Sequence, residues 1–414
     1  MRIAFFAWEY PPFVVGGLGT YAENITRKYV ERDHDVTVFA LNTGDLPTNE
    51  ILRGVEVHRP ILTDASKIFP LLSRDLESWG SHVKFFSDFF MYNTLSISKL
   101  VNDLVKKQGY KYDLMCFHDW LNSVASVIGK DELGIPTIFH VHSTEWGRSG
   151  NGSNIITALE KKAADEADGV ITVSHAMKED LARHRWPEEK VHVAWNGVDP
   201  DMYDPEDSRA NDVKALRAKY GVKDDDNLIL FIGRLTWVKG VRNLIQAMPT
   251  VLDKYPNSKL LILGKGEEQR DIMDLASRLT IEDKVQYRFE FVSESERILN
   301  YAASDVCVFP SIYEPFGIVS LEAMAMEKPI VVGARGVVGF REQVVPSGKD
   351  QCGVHVDGNN AQDIAWGIMA VLSDKDTARK WGKNGRERVL KYFTWDKAAD
   401  QTLKCYGEIS ENSV

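Results

Sequence analysis

Short apolar runs separated by stretches with helical spacing recur along the whole chain. In the first half, Arg2–Ala7, Asp35–Leu41, Val55–Pro60, Leu114–Phe117, Thr137–Val141, Gly169–Val173 and Val191–Ala194 read as buried strands. Glu23–Arg32 and Ala158–Glu166 are among the predicted helices between them. The second half repeats the pattern with Leu228–Gly233, Lys259–Gly264, Val285–Phe291, Asp305–Pro310 and Pro329–Gly333. Strands that alternate with helices predict parallel sheets with right-handed crossovers, so an α/β chain of two Rossmann-like domains. The string Asn196-Gly-Val-Asp-Pro-Asp-Met-Tyr-Asp-Pro-Glu-Asp, rich in turn formers and acids, predicts a linker. The expected domains are 1–196 and 197–391, followed by an amphipathic helix within 392–414 that runs to about Ile409.

Composition narrows the class. A chain of 414 residues with 44% hydrophobic content supports two or three sizeable cores. Its net charge of −10 is spread over both halves, with no basic stretch interleaved with aromatics, which argues against nucleic acid. No apolar run approaches the ~20 residues that span a bilayer, so no integral membrane segment and a cytoplasmic setting are expected. The four cysteines are scattered without metal-like or disulfide-like spacing, and Cys116 and Cys307 sit inside strand runs.

Open parallel sheets bind ligands outside the carboxyl ends of their strands, and polar and glycine-rich features gather there. The first strand leads into Pro11-Pro-Phe-Val-Val-Gly16-Gly17-Leu-Gly-Thr, where backbone can approach a ligand before a helix that starts at about Thr20. Later strands run into His118-Asp119-Trp120, His142, Ser174 and Asn196-Gly197. A lone histidine at a strand end is more often structural; several converging on one edge reverse that reading. In the second half, Arg234 and Lys239 follow a strand five positions apart, suited to clamp a diphosphate with a planar fork and a mobile point charge. Gly264 follows the next strand. The most informative string is Phe309-Pro-Ser-Ile-Tyr-Glu314-Pro-Phe316-Gly317-Ile318-Val-Ser-Leu-Glu322-Ala-Met-Ala. It places Glu314 at a strand end and Glu322 about one turn into a helix, with free amides between them for a phosphate or sugar oxygen.

Taken in order, the Gly16-Gly17 loop, His118-Asp119-Trp120, His142, Asn196-Gly-Val-Asp, Arg234…Lys239, Glu314…Glu322 and Phe393-Thr-Trp resemble the retaining GT-B glycosyltransferases along nearly the whole chain. Within them the chain is similar to the glycogen/starch synthases, in the archaeal form, and to their sister family 4. The resemblance implies two Rossmann-like domains facing each other across a cleft, with a C-terminal helix that crosses back to the first. It implies that Gly17, in the Gly16-Gly17 loop, approaches the donor phosphate, that His142 faces the transferred sugar, and that Asp119 and Asn196 line the same cleft. Arg234 and Lys239 would neutralise the leaving diphosphate. Glu314 with Phe316, Gly317 and Ile318 would hold sugar hydroxyls, and Glu322 would hold the ribose; Gly264, by its place after a strand, would let backbone approach the nucleoside. The base site is expected near Phe291-Val292. No cofactor or metal is implied; ADP- or UDP-glucose is the expected donor substrate, and an α-glucan the expected acceptor. A small sugar, sugar phosphate or lipid-linked acceptor of the family 4 kind is the alternative. Three positions depart from the bacterial synthases: Val14 stands for a lysine, Phe316 for a small polar or cysteine residue, and Val338-Gly339-Phe340 for Gly-Gly-Leu.

Other readings fit less well. Asp33-His-Asp35 and Asp224-Asp-Asp226 match the metal-holding Asp-x-Asp of GT-A transferases in form, but both sit in turns before strands. No His, Cys or carboxylate group has metal-ligand spacing along the sequence. Val15-Gly-Gly-Leu-Gly lacks the dehydrogenase spacing. A nucleotide-sugar epimerase shares the expected architecture and is told apart by converting its donor without an acceptor. A binding-only descendant is disfavoured, because both the His142 side and the Arg234, Lys239 and Glu314 side are present.

Overall fold

A computed structural model describes residues 1–72, 80, 82–150, 152–207, 210–290 and 292–412. Phe291, expected near the base site, lies outside the described residues. The chain divides into two compact units, one of Met1–Val173, Lys178–Ala194 and Ala398–Val414, the other of Ser174–Met177 and Trp195–Lys397.

The first unit carries strands β1 (Arg2–Phe6), β2 (Asp35–Phe39), β3 (Asn49–Leu52), β4 (Val55–His58), β5 (Leu114–His118), β6 (Thr137–Val141), β7 (Gly169–Thr172) and β8 (Val191–Val193). They form one sheet in the order β3-β4-β2-β1-β5-β6-β7-β8. Every neighbouring pair is parallel except β3 with β4. The apolar runs are buried on both faces: Ile3, Phe5 and Phe6 of β1 and every residue of β5 lie inside. β3 is absent from the hydrophobic pattern because it is an edge strand whose Asn-Glu-Ile-Leu faces water, with Ile51 68% exposed. Helices α1 (Gly17–Val30), α2 (His82–Ser98) and α3 (Asn154–Glu166) pack in this unit. α1 begins about three residues before the expected start, since Gly-Leu-Gly-Thr offers no apolar spacing to read.

The second unit carries β9 (Asn227–Ile232), β10 (Ser258–Leu263), β11 (Val285–Arg288), β12 (Val306–Phe309), β13 (Ile330–Gly333) and β14 (Gly353–Val356). All are parallel, in the order β11-β10-β9-β12-β13-β14. β14, an edge strand, escapes the hydrophobic pattern because Gly353 and His355 interrupt its apolar run. Helices α4 (Val241–Lys254), α5 (Glu294–Ala303) and α6 (Ile318–Ala325) belong here. On α4, Val241, Leu244, Ile245, Met248 and Val251 are fully buried at helical spacing, which seats it on the core of this sheet.

The last helix, α7 (Trp395–Asn412), places residues from Ala398 onward in the first unit. The Tyr406 hydroxyl lies 2.9 Å from the His140 ring, and Arg32 pairs with Asp400 at 2.8 Å. Gly169 leaves room for Ile409, whose Cδ1 would stand 2.4 Å from a Cβ at that position. The returning C-terminal helix expected from the sequence is therefore present.

Candidate active site

In both sheets the residues singled out from sequence follow the strands where the order reverses. In the first, β2 lies on one side of β1 and β5 on the other; in the second, β10 and β12 flank β9. A parallel sheet opens a crevice at such a switch point, because consecutive crossovers leave it on opposite faces. The Gly16-Gly17 loop and His118-Asp119 follow β1 and β5, and Arg234–Lys239 and Glu314 follow β9 and β12.

In the second unit, Lys239 forms an ion pair with Glu314, which joins the loop after β9 to the loop after β12. The backbone repeats the tie: the Ile312 amide donates to the Val238 carbonyl at 2.7 Å. Arg234 is exposed and has no ion-pair partner among the described residues, so its guanidinium is available to an anion. Gly264 sits beside this loop with φ +145°, and its Cβ would stand 1.8 Å from the Gly233 carbonyl oxygen, so no other residue fits. Gly317 caps α6 at φ 88°, and a side chain there would run into Phe340 at 2.1 Å. Gln343 donates to the Phe316 carbonyl at 2.9 Å and bonds the Ser320 hydroxyl, holding the helix start in place. Ile318 is the first residue of α6. Glu322 is buried and turned toward α5: its carboxylate accepts from the Tyr301 hydroxyl at 2.8 Å and faces Arg297 at 3.6 Å. The buried Asn196 Oδ1 has no hydrogen-bond partner. An orphaned buried acceptor of this kind is costly without a ligand or water.

In the first unit, Glu9 accepts hydrogen bonds from the Val15 and Gly16 amides at 2.9 and 3.0 Å, and so sets the glycine loop. Nothing lies within 4 Å of where a Cβ would stand at Gly16 or Gly17, so the protein's own packing does not demand glycine there. Asp119, at φ 57°, turns its carboxylate to the amides of His142 and Ser143 at 2.7 and 3.4 Å. It braces the loop that carries His142. Burial raises its pKa to about 6 against the pull of Arg148. Sequence reasoning missed Glu9, Arg148, Glu160, Arg297 and Tyr301. All five act by holding another site residue, a role with no spacing signature.

Neighbouring strands also assemble a group that sequence spacing conceals. The register of β5 on β6 sets His118 beside His140, and His142 follows; one ring nitrogen from each lies within 4.8 Å of the others. The three rings stack, with interplanar angles of 24°, 26° and 14°. Ring lone pairs lie in the ring plane, so stacked rings send them along near-parallel lines rather than toward one ion. Burial holds His118 and His140 well below the ordinary histidine range and lowers His142 to about 3. His118 Nδ1 donates to the Phe6 carbonyl at 2.9 Å, which leaves Nε2 as the unprotonated nitrogen. The group is a neutral ladder, and the buried His142 Nε2 lacks a partner.

Behind this loop, Glu160 on α3 accepts from the Glu145 amide at 3.0 Å and faces Arg148 at 3.3 Å. Burial raises its pKa to about 7, with Arg148 opposing. A carboxyl raised above its unfolded value stabilises the fold fully below the unfolded pKa, and that contribution is lost as pH rises through the folded one. The melting temperature should therefore fall between about pH 5 and pH 8, with up to about 3 kcal/mol attributable to this carboxyl. Glu160→Gln should flatten that slope in melts taken across the range; a variant that keeps the full slope would show that Glu160 is not its source.

These two parallel Rossmann-like sheets and the returning helix define a GT-B glycosyltransferase fold. The family of Glycosyl transferases group 1 matches residues 212–388, and Glycosyltransferase Family 4 matches residues 15–202. An uncharacterized glycosyltransferase of Methanocaldococcus jannaschii is 34% identical over 98% of both chains. A glycogen synthase of Mycobacterium tuberculosis is 27% identical over 98% of this chain and 94% of its own. Among solved structures, HepE of Anabaena in complex with UDP-glucose superposes with a TM-score of 0.74 at 20% identity, over 99% of this chain and 100% of that one. The chain belongs to glycosyltransferase family 4. Among the described residues, no helix is long and apolar enough to cross a membrane.

Proposed function

We propose that the chain transfers glucose, with retention, from ADP- or UDP-glucose to a hydroxyl of a carbohydrate acceptor. The observation that carries this reading is the Lys239–Glu314 pair beside the free guanidinium of Arg234, at the switch point of the second sheet. Departure of a nucleoside diphosphate leaves an electron pair and negative charge on the leaving oxygen. Two preset cations stabilise that charge, and each such contact is worth several kcal/mol in a site closed to water. Glu314, the partner of Lys239, accepts hydrogen bonds from sugar hydroxyls together with the amides from Phe316 to Ile318. Tyr301 and Arg297 fix Glu322 for the ribose diol. In the first unit, the Gly17 amide, on the loop that Glu9 sets, is assigned to the donor phosphate and His142 to the sugar; in the second, Asn196 offers the sugar its unpartnered Oδ1. The acceptor hydroxyl attacks the anomeric carbon from the face the diphosphate leaves, and its proton passes to the departing phosphate oxygen. No protein nucleophile is needed. The four buried free thiols suit a reducing, cytoplasmic setting.

A thermal-shift screen with ADP-, UDP- and GDP-glucose tests the donor half of this reading. ADP- or UDP-glucose should raise the melting temperature by several degrees at about 100 times its dissociation constant. No shift with any of the three would contradict the reading. Conversion of the stabilising donor to another sugar without an acceptor would point to an epimerase instead.

A further inference from the structure

The first unit contains a cavity of about 440 Å³ that the donor chemistry does not use. Its walls are Phe85, Phe86 and Phe89 of α2, Trp120, and Ile156 and Leu159 of α3; of the nine lining residues, His82 and Ser153 are the polar ones besides the indole. The volume lies within the ~300–1,000 Å³ range of small-ligand sites. The rings form a continuous wall: Trp120 lies 5.2 Å from Phe89 and 6.0 Å from Phe85, and Phe85 lies 6.0 Å from Trp8. Trp8 and Trp120 follow β1 and β5, so the wall ends at the switch point of the first sheet. Trp120 is bonded directly to Asp119, which braces the His142 loop. Toward solvent, Phe85 is 45% and Ile155 49% exposed, so the mouth stays apolar.

A hexose does not suit such a wall. Each hydroxyl buried there without a partner would forfeit a hydrogen bond it makes in water, and two polar side chains cannot serve four or five hydroxyls. A hydrocarbon chain loses nothing there and gains with every methylene removed from water. We propose that this cavity holds the apolar chain of an amphiphilic acceptor, whose sugar head lies at the strand ends by His142 while a flexible alkyl or isoprenoid tail runs between α2 and α3. This assignment rests on the transferase reading and names the acceptor class: a lipid-linked or alkyl-linked sugar rather than a free glucan.

The test uses the full chain and a series of alkyl β-glucosides from methyl to decyl, kept below their micelle concentrations. Calorimetry should show the dissociation constant falling by up to about fourfold per added methylene until the cavity is full. Phe85→Asp and Ile155→Asp, both at the exposed mouth, should collapse the decyl-to-methyl ratio toward one while circular dichroism shows the fold intact. A wild-type affinity that does not change with chain length, or a ratio unchanged in both variants, would overturn the proposal. The same series, offered as acceptors with ADP- or UDP-glucose, separates the two claims. Chain-dependent binding without transfer would remove the transferase reading and leave the cavity assignment standing. Transfer with no dependence on chain length would do the reverse. Acyl and isoprenoid glycosides of equal carbon number, compared last, distinguish the two sources of tail.

Discussion

Arg234→Ala should lower turnover by two to three orders of magnitude and leave the melting temperature within about a degree of wild type. Arg234 is exposed and makes no ion pair among the described residues, so its removal exposes no buried partner. Its expected contribution is the stabilisation of charge on the departing diphosphate, about 3–4 kcal/mol for one preset donor, at ~1.4 kcal/mol per tenfold in rate. Lys239→Ala should cost at least as much in turnover and should also destabilise the second unit. Its partner Glu314 is 7% exposed, and a buried carboxylate left alone costs on the order of 3 kcal/mol. The two variants thus separate rate from stability. Wild-type turnover in a folded Arg234→Ala protein would sink the clamp assignment.

His142→Ala should bind the free nucleoside diphosphate nearly as wild type does and turn over at least a hundredfold more slowly. Apart from the glycine loop at the donor phosphate, the groups assigned to the nucleotide (Arg234, Lys239, Gly264 and Glu322) lie in the second unit, whereas His142 belongs to the first. With a pKa lowered to about 3, the imidazole stays neutral through the working range, so the rate should show no ionisation from this group above about pH 5. Asp119→Ala should resemble it in rate, because the His142 and Ser143 amides lose the carboxylate that holds them at 2.7 and 3.4 Å. Asp119→Asn keeps an acceptor oxygen there and should recover most of the loss. If His142→Ala instead abolished nucleotide binding, its role would belong to the donor half or to the core.

Much of this was legible in the sequence, for identifiable reasons. Strands buried on both faces read as unbroken apolar runs, so twelve of the fourteen strands among the described residues stand out within a few residues of their observed ends. β3 escapes because it is an edge strand that faces water, and β14 because Gly353 and His355 interrupt its apolar run. The site is legible wherever a polar residue interrupts an apolar run, as at Asp119, His142, Arg234 and Glu314. It is illegible wherever the relation is three-dimensional. Pairing of β5 with β6 sets His118 against His140, a relation that a separation of twenty-two positions along the chain does not suggest. The turn of Glu322 toward Tyr301 depends on how α5 and α6 pack. The aromatic cavity combines residues from α2, α3 and the end of β5, each of which alone reads as ordinary core.

Transfer with retention is best tested by proton NMR of a reaction containing ADP- or UDP-glucose and an alkyl glucoside acceptor. A new anomeric signal with the small coupling of an α-linkage should appear as nucleoside diphosphate is released in equal amount. A β-linked product, or no linkage with either donor and any acceptor in the series, would contradict it.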